Sequence, residues 1–331
     1  MAKKEKIEDI NEESIEAKLL AEIRKKYGPG AITTLNENIE DVEVISTSCP
    51  QLDKALGVGG LPKGRLIEIY GKTGTGKTTL CGHIISEAQK LGKAVVYIDM
   101  EHAVDPLYFQ NIGINLSNNF LLSQPDNGEM ALDILEMSLN SGSVSAIIVD
   151  SVPALVPQAE LEGEMADSTI GLQARMMGKG MRRIVVAAHK SNTLLIFINQ
   201  LRDNIGSFGY GPKSTTPGGK ALPYAASVRI ELTVIGQIKD GENVIGNTVK
   251  AKIVKNKVAS PFKECTYELI FGEGISKIRT LIQSALEEGI IIKSGAWYSF
   301  NNEKIGQGLV KTCEFLKNNP DIFNKIQKQL I

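Results

Sequence analysis

The octapeptide at residues 71–78, GKTGTGKT, constrains this chain more than any other feature, because it matches G-x-x-x-x-G-K-[ST] in full. The apolar run at residues 66–70 predicts a buried strand before it, and residues 79–85 predict a helix after it. Glycines let the backbone wrap a phosphate, so that N–H groups and the helix N-terminus point at it. The alternative is a Gly-rich turn before an ordinary helix. The flanks favour a nucleoside triphosphate site.

The pattern assigns a role to each position of this loop. Lys77 is expected to reach the β and γ phosphates of ATP, and Thr78 to hold Mg²⁺. The other candidate nucleotide-binding residues are Gly71, Lys72, Thr73, Gly74, Thr75, Gly76, Thr79, Asp105 and Tyr108. Two interpretations of Tyr108 stay open, since an aromatic ring after Asp105-Pro106 could stack on adenine or pack in the core.

Length and composition exclude several classes of protein. The 331 residues are 42% hydrophobic and carry a formal charge of −1, so a surface for nucleic acid must be a local patch. The cysteines are dispersed, which favours free thiols over a zinc site. The polar N-terminus lacks the apolar run of a signal peptide, and no segment reaches the roughly 18 apolar residues of a membrane span. We therefore expect a cytoplasmic protein that does not enter membranes.

Three regions are predicted: residues 1–34, 35–275 and 276–331. Apolar residues recur at helical spacing over residues 12–27, and Gly28-Pro29-Gly30 ends that pattern. This amphipathic helix has to bury its apolar stripe, either on its own core or on a neighbouring subunit, and the pattern does not decide between them. The last region is expected to be compact, with helices at residues 278–288 and 308–318.

The central region predicts an α/β fold with a mostly parallel sheet. Residues 94–99, 146–150 and 194–200 are short apolar runs separated by helical patterns. In such sheets ligands gather at the carboxyl ends of the strands. Residues 228–235 and 249–258 alternate instead, which predicts an antiparallel hairpin.

Three polar residues follow these predicted strands. Asp150 closes one of them, at the position where a carboxylate contacts Mg²⁺ directly or through water; the alternative is an aspartate that caps a turn. Glu101 could take a proton from the attacking water, although a solvated loop carboxylate would give the same pattern. Gln200 is placed to sense the γ-phosphate.

With these residues assembled, the chain resembles the bacterial RecA recombinases over nearly its whole length. Besides the N-terminal helix and the phosphate loop, the resemblance rests on residues 100–102 (MEH), 150–151 (DS), 163–164 (GE), 171–177 (GLQARMM), 197–202 (FINQLR), 216–219 (TPGG), 254–257 (VKNK) and 295–298 (GAWY). It implies a P-loop NTPase with a RecA-like core, an N-terminal helix and a small α+β C-terminal domain. It also implies an ATP-dependent, filament-forming protein that exchanges strands between single-stranded and homologous double-stranded DNA, and that promotes self-cleavage of a LexA-type repressor.

The resemblance places two DNA-binding loops at residues 161–170 and 202–222. Within the second loop, residues 204–217 are rich in Gly, Ser, Thr and Pro, too polar for a core and too long for a simple connection. Each arginine could instead be an ordinary solvated charge. The candidate DNA-binding residues are Ile170, Arg175, Arg182, Arg202, Ile205, Gly218 and Gly219.

Lys255 and Lys257 complete the candidate catalytic set. They flank Asn256 at the end of a predicted strand, so alternation points both ammonium groups to one face. Because each protomer already has Lys77, we expect this pair to act on the ATP of the neighbouring protomer; the alternative is two exposed lysines on a solvated hairpin.

Two other functions share parts of the pattern, a hexameric helicase and a small-molecule kinase.

Overall fold

The structure is a computed structural model that describes residues 15–33, 42–164, 166, 168–169, 171–203 and 214–330. Contacts divide the chain into two units, residues 1–42 and 43–331. The helices are α1 Ile15–Tyr27, α2 Pro50–Leu56, α3 Lys77–Gln89, α4 Pro106–Asn111, α5 Gly128–Asn140, α6 Gln158–Glu162, α7 Leu172–Ser191, α8 Ala221–Ala225, α9 Lys277–Glu287, α10 Leu309–Asn318 and α11 Pro320–Leu330. The strands are β1 Val44–Ile45, β2 Leu61–Pro62, β3 Leu66–Gly71, β4 Ala94–Asp99, β5 Phe120–Ser123, β6 Val144–Asp150, β7 Leu194–Gln200, β8 Arg202–Asp203, β9 Ser214–Thr215, β10 Val228–Asp240, β11 Asn243–Asn256, β12 Glu264–Ile270, β13 Gly274–Ile275, β14 Ile291–Ser294, β15 Trp297–Phe300 and β16 Glu303–Gln307.

In the first unit, helix α1 ends where the sequence predicts. Gly28 has a φ of 98°, which favours glycine, and its N–H donates to the carbonyl of Arg24 at 2.9 Å. Arg24 also reaches past this end, because its Nε donates to the carbonyl of Ile32 at 3.1 Å. The first fourteen residues lie outside the described part of the chain.

A large sheet organises the second unit, in the order β13-β12-β11-β10-β3-β7-β6-β4-β5. Strands β10, β3, β7, β6, β4 and β5 run parallel, and β11, β12 and β13 are added antiparallel. Two hydrophobic clusters cover the sheet, one with α3 and the other with α5 and α7. The predicted α/β class is confirmed.

The central strands are apolar throughout because both of their faces are covered. Every residue of β3 and β6 is buried, and β7 is buried up to Gln200. Alternation still divides their side chains, since Ile67 and Ile69 lie in one cluster and Leu66 in the other. Because β3, β6 and β7 run parallel to one another, their carboxyl ends lie at the same end of the sheet.

The predicted hairpin is confirmed, and its strands are longer than expected. β10 and β11 pair antiparallel from Val228↔Asn256 to Asp240↔Asn243, with register shifts along the way. The distal half of β10 and the first two residues of β11 are largely exposed, and this end of the hairpin lacks a regular alternation of apolar and polar residues.

The C-terminal region contains more structure than predicted. Two helices match the expected ones, and β14, β15 and β16 form an antiparallel sheet around residues 295–298. Helix α11 was missed, because Asn318-Asn319-Pro320 ends one helix while Pro320 also begins the next. These elements enclose a hydrophobic cluster of their own. Among the residues that the structure describes, no helix is both long and apolar enough to span a membrane.

Candidate nucleotide and DNA sites

The phosphate loop connects the end of β3 to the start of α3. Gly74 and Gly76 have φ values of 74° and 82°, in the region that favours glycine. Gly71 is required for a different reason, since a Cβ there would lie 2.3 Å from the carbonyl oxygen of Leu232. The loop is held internally by Thr75, whose Oγ1 donates to the Lys72 carbonyl at 2.9 Å. This backbone leaves the amides at the start of α3 free for a phosphate.

Lys77 lies inside this loop. Its Nζ donates to the carbonyls of Lys72 at 2.9 Å and Gly71 at 3.3 Å, and the side chain is 8% exposed. Burial lowers the pKa of Lys77, while the carboxylates of Asp150 and Glu101 act in the opposite direction. An anion that neutralises this ammonium group would favour its charged form, so the loop fits a phosphate.

Thr78 and Asp150 lie together at the start of α3 and the end of β6. Thr78 Oγ1 donates to Asp150 Oδ2 at 2.8 Å, and Tyr97 OH donates to the same oxygen at 2.6 Å. Burial raises the pKa of Asp150, and these two hydrogen bonds oppose that shift. A hydroxyl and a carboxylate beside a phosphate loop are oxygen ligands of the kind that Mg²⁺ takes. The donor set therefore fits ATP with Mg²⁺.

Glu101 lies two residues beyond β4, on a loop shaped by Asp99. The buried Asp99 carboxylate accepts from the N–H groups of Ala103 and Val104, both at 3.3 Å, and from Gln124 Nε2 at 3.0 Å. These bonds fold the loop back over the strand end. Glu101 remains exposed and lines the same cleft as the phosphate loop.

Gln200 and Ser151 both contact Glu101. Gln200 Nε2 donates to Glu101 Oε1 at 3.4 Å, and Ser151 Oγ donates to the same oxygen. Ser151 follows β6 and Gln200 ends β7, so neighbouring strands bring these groups together. Sequence reasoning missed Ser151, although its position just after a strand-end carboxylate was a usable signal.

The cleft around these residues has a volume of about 400 Å³. Tyr108 lines it, and its OH lies 2.6 Å from Thr79 Oγ1. Asp105 caps α4, because its carboxylate accepts from the N–H groups of Leu107 at 2.9 Å and Tyr108 at 3.2 Å. Asp105 thus acts on the position of Tyr108; the predicted contact of Tyr108 with adenine stays a prediction.

One wall of the cleft comes from far along the chain. Leu269, Phe271 and Gly272, at the end of β12 and in the turn after it, line the cleft beside Gly76. Leu269 is so close that a Cβ on Gly76 would lie 2.3 Å from its Cδ1. No local pattern could have found this wall, because it depends on β12 joining the sheet.

The candidate DNA-binding residues that the structure describes lie on α7, on β8 and in the segment before α8. Arg175 and Arg182 are exposed on α7, and Arg202 is exposed at the start of β8. In the described part of the chain, neither Arg175 nor Arg182 forms an ion pair, whereas Arg183 Nη2 lies 2.7 Å from Glu136 Oε2. Exposed cations without a partner are suited to phosphates. Ile170 and Ile205 lie outside the described residues.

The end of the second loop is held by close contacts with the core. A Cβ on Gly218 would lie 2.8 Å from Val152 Cγ1, and one on Gly219 would lie 2.8 Å from Ala174 Cβ. Both glycines have positive φ values, 90° and 73°. The end of the second loop therefore packs on Val152, just after β6, and on Ala174 in the first turn of α7.

A buried junction lies beneath the second loop. Asn199 Nδ2 donates to Glu68 Oε1 at 2.9 Å and to the Pro217 carbonyl at 3.1 Å, and Asn199 Oδ1 accepts from the Gln200 N–H at 2.9 Å. Glu68 is fully buried, and its Oε2 pairs with Arg229 Nε at 2.5 Å. The residue beside Gln200 is thus bonded to the loop end.

The two candidate lysines have different surroundings. Lys255 is the penultimate residue of β11, and its Nζ donates to the carbonyls of Pro223 at 2.8 Å and Tyr224 at 3.0 Å. Burial lowers the pKa of Lys255, as do the neighbouring charges of Lys257 and Arg229. Lys257 lies just beyond the strand and is exposed. Neither lysine lines the nucleotide cleft of its own chain.

Together the fold and the phosphate loop define a P-loop NTPase of the RecA-like type. Family models match two segments, the RecA N-terminal domain at residues 14–276 and the RecA C-terminal domain at residues 279–331. The chain belongs to the RecA family, which supports a recombinase role that involves ATP and DNA.

Relatives of similar length support the same conclusion. Protein RecA of Chloroherpeton thalassium is 52% identical over 309 residues, covering 93% of this chain and 86% of its own. Protein RecA of Wigglesworthia glossinidia brevipalpis is 49% identical over 325 residues, covering 98% and 97%. Protein RecA of Streptomyces ambofaciens is 48% identical over 312 residues, covering 94% and 83%.

Proposed function

We propose that this protein is a DNA-dependent ATPase that polymerises on single-stranded DNA as a helical filament and catalyses pairing and strand exchange with homologous duplex DNA. The observation that carries the proposal is the position of Gln200. Its amide contacts Glu101 in the nucleotide cleft, and the DNA loop begins two residues further on. A change at the γ-phosphate can therefore reach the loop through one short segment.

Each residue of the cleft has a task in this proposal. Lys77 and the loop amides bind and orient the phosphates, Tyr108 stacks on the base, and Glu101 accepts the proton of the attacking water. Thr78 and Asp150 would hold Mg²⁺, which supplies positive charge next to the β and γ phosphates. Gln200 would sense the γ-phosphate, so that ATP binding favours the DNA-holding state and hydrolysis favours release.

The outermost strand of the large sheet, β5, supports filament assembly. Among the described strands, β5 pairs only with β4 and so forms an edge of the sheet, and Leu121 and Leu122 on it are exposed. An unpaired strand edge with apolar side chains is a template for association with another chain. We propose that a neighbouring subunit covers this edge and that the helix α1 of one protomer packs on the next.

Self-cleavage of a LexA-type repressor, stimulated by the filament, is a further part of this proposal and rests on family membership alone. Incubating such a repressor with the protein, ATP and single-stranded DNA should yield two fragments. Omitting either ligand should leave it intact, and fragments that form equally well without DNA would contradict this part.

The direct test is ATP turnover with and without single-stranded DNA, combined with electron microscopy of the same samples. We expect DNA to stimulate turnover and helical filaments to cover the DNA. Closed rings would indicate a helicase instead. Turnover that ignores DNA and requires a small acceptor would indicate a kinase and overturn the proposal.

A further inference from the structure

A buried tyrosine that the sequence did not single out contacts the carboxylate of Asp150. Tyr97 is 1% exposed, and its hydroxyl donates to Asp150 Oδ2 at 2.6 Å. Thr78 Oγ1 donates to the same oxygen from the start of α3 at 2.8 Å. One oxygen of Asp150 therefore receives two hydrogen bonds from two different elements.

The ring of Tyr97 is fixed by other aromatic side chains. Its centroid lies 5.4 Å from that of Phe109 in an edge-on arrangement and 6.3 Å from that of Phe120. Phe109 belongs to α4 and Phe120 to β5, so the ring is held from two sides. Because the ring cannot turn away within this packing, its hydroxyl is a donor at a fixed point.

These contacts determine how the Asp150 carboxylate is oriented. Asp150 lines the nucleotide cleft, and its Oδ1 accepts no hydrogen bond from any residue that the structure describes. Two donors on Oδ2 fix the carboxylate plane and leave the lone pairs of Oδ1 available. A carboxylate held in this way does not have to reorient when a cation or its bound water arrives.

We propose that Tyr97 is a positioning residue, which holds Asp150 in the orientation that receives the magnesium ion bound with ATP. The proposal rests on the nucleotide site proposed above and adds a residue that the phosphate-loop pattern does not contain. Tyr97 itself would touch neither the metal nor the nucleotide. It acts through its hydrogen bond to Asp150, from the neighbouring strand β4.

A second buried tyrosine provides a matched control. Tyr267 lies in the same hydrophobic cluster and is 0% exposed, and its hydroxyl has no hydrogen-bond partner among the described residues. Tyr267→Phe therefore removes a buried hydroxyl without removing a contact to the site. Any effect that is common to both substitutions comes from the core and not from Asp150.

The experiment measures the affinity of a fluorescent ATP analogue in EDTA and during titration with Mg²⁺. Tyr97→Phe should bind the analogue in EDTA as the unsubstituted protein does, because the phosphate loop is untouched. The Mg²⁺ concentration that gives half of the gain in affinity should rise about tenfold. This value is the lower end of the range for residues that hydrogen-bond to metal ligands, because Thr78 still donates to Oδ2. Tyr267→Phe should match the unsubstituted protein in both conditions.

Combining Tyr97→Phe with Asp150→Asn tests the route of the effect. If Tyr97 acts through Asp150, its substitution should add nothing to the Mg²⁺ requirement of Asp150→Asn. An unchanged Mg²⁺ requirement in Tyr97→Phe alone would overturn the proposal, as would full additivity. If Mg²⁺ gave the unsubstituted protein no gain in affinity, the metal site itself would be wrong.

Discussion

The nucleotide cleft and the surface that we propose for DNA, which carries Arg175 and Arg182 on α7, are built differently. In the cleft, Lys77, Thr78 and Glu101 each have a hydrogen-bonding partner within the chain. On the proposed DNA-facing surface, Arg175 and Arg182 are exposed and form no ion pair in the part of the chain that is described.

The difference reflects the two ligands. A triphosphate concentrates its charge in a small volume, so groups that are already oriented save the cost of ordering them on binding. A DNA strand spreads its charge along a flexible backbone, and its affinity comes from the release of counterions around many phosphates. The proposed functions therefore rest on different features, on internal geometry in the cleft and on exposed charge at the surface.

The largest effect is expected for Lys255 and Lys257, which lie outside both the nucleotide cleft and the proposed DNA-facing surface of their own protomer. Lys255→Ala/Lys257→Ala should lower DNA-stimulated ATP turnover about 10³-fold or more, if the pair acts on the neighbour's transferring phosphoryl group as an arginine finger does. Lys250→Ala/Lys252→Ala, on the same strand at the same spacing, should retain turnover. ATP hydrolysis rates on single-stranded DNA provide the measurement.

Mixing experiments identify the acting protomer. The lysine variant mixed with Glu101→Gln should recover part of the turnover, because some sites combine an intact Glu101 with an intact neighbouring pair. Normal hydrolysis by the lysine double variant alone would show that each cleft is complete within its own chain.

Glu101→Gln tests whether the cleft contains the proton acceptor. Hydrolysis should fall about 10²–10⁴-fold, because a general base is lost while the shape of the side chain is kept. Nucleotide and DNA binding should persist, and filaments should therefore outlast those of the unsubstituted protein. Pre-steady-state hydrolysis and filament lifetime are the readouts, with the exposed Glu303→Gln as control. Normal turnover in Glu101→Gln would show that Glu101 is a solvated carboxylate and not the proton acceptor.

The anchoring of helix α3 can be tested through pH. The N–H of Ile275 donates to His83 Nε2 at 2.8 Å, and burial lowers the pKa of His83 from 6.5 to about 4, assisted by the charge of Lys277. The folded state therefore binds fewer protons than the unfolded state between these values. The stabilisation is complete above pH 6.5, falls as the pH drops, and is lost by about pH 4, a change of about 3 kcal/mol.

His83→Gln should flatten this dependence, because glutamine can accept the same hydrogen bond without titrating. His189→Gln, at an exposed position near the end of α7, should leave it unchanged. Urea unfolding between pH 7 and pH 4 measures both. If the free energy of unfolding depended on pH equally in His83→Gln and in the unsubstituted protein, the titration of His83 would not contribute to stability.

The smallest effect is expected on the DNA-facing surface. Arg175→Ala/Arg182→Ala should weaken binding to single-stranded DNA about equally for all sequences and reduce the slope of log affinity against log salt by about 1.4, or about 0.7 for each lost phosphate contact. Arg183→Ala should keep the slope, because Glu136 already neutralises that guanidinium group. If the salt dependence of the affinity were unchanged in the double variant, these arginines would not contact DNA phosphates.

Sequence reasoning succeeded where function and local structure share one pattern. The phosphate loop, the strand ends at Asp150 and Gln200, and the end of α1 are all visible in consecutive residues. The cleft wall at residues 269–272, the donor Tyr97 and the junction at Glu68 were missed, because each depends on strands that are distant in sequence becoming neighbours. The role of the lysine pair stays a prediction.

The central claim, that the cleft and the DNA surface act as one system, is tested most directly by measuring their coupling. The affinity for single-stranded DNA should be determined without nucleotide, with ADP and with a non-hydrolysable ATP analogue. We predict that the analogue tightens DNA binding about tenfold or more, that DNA tightens binding of the analogue by the same factor, and that Gln200→Ala abolishes both effects while each ligand still binds. Equal DNA affinity in all three conditions would contradict the account.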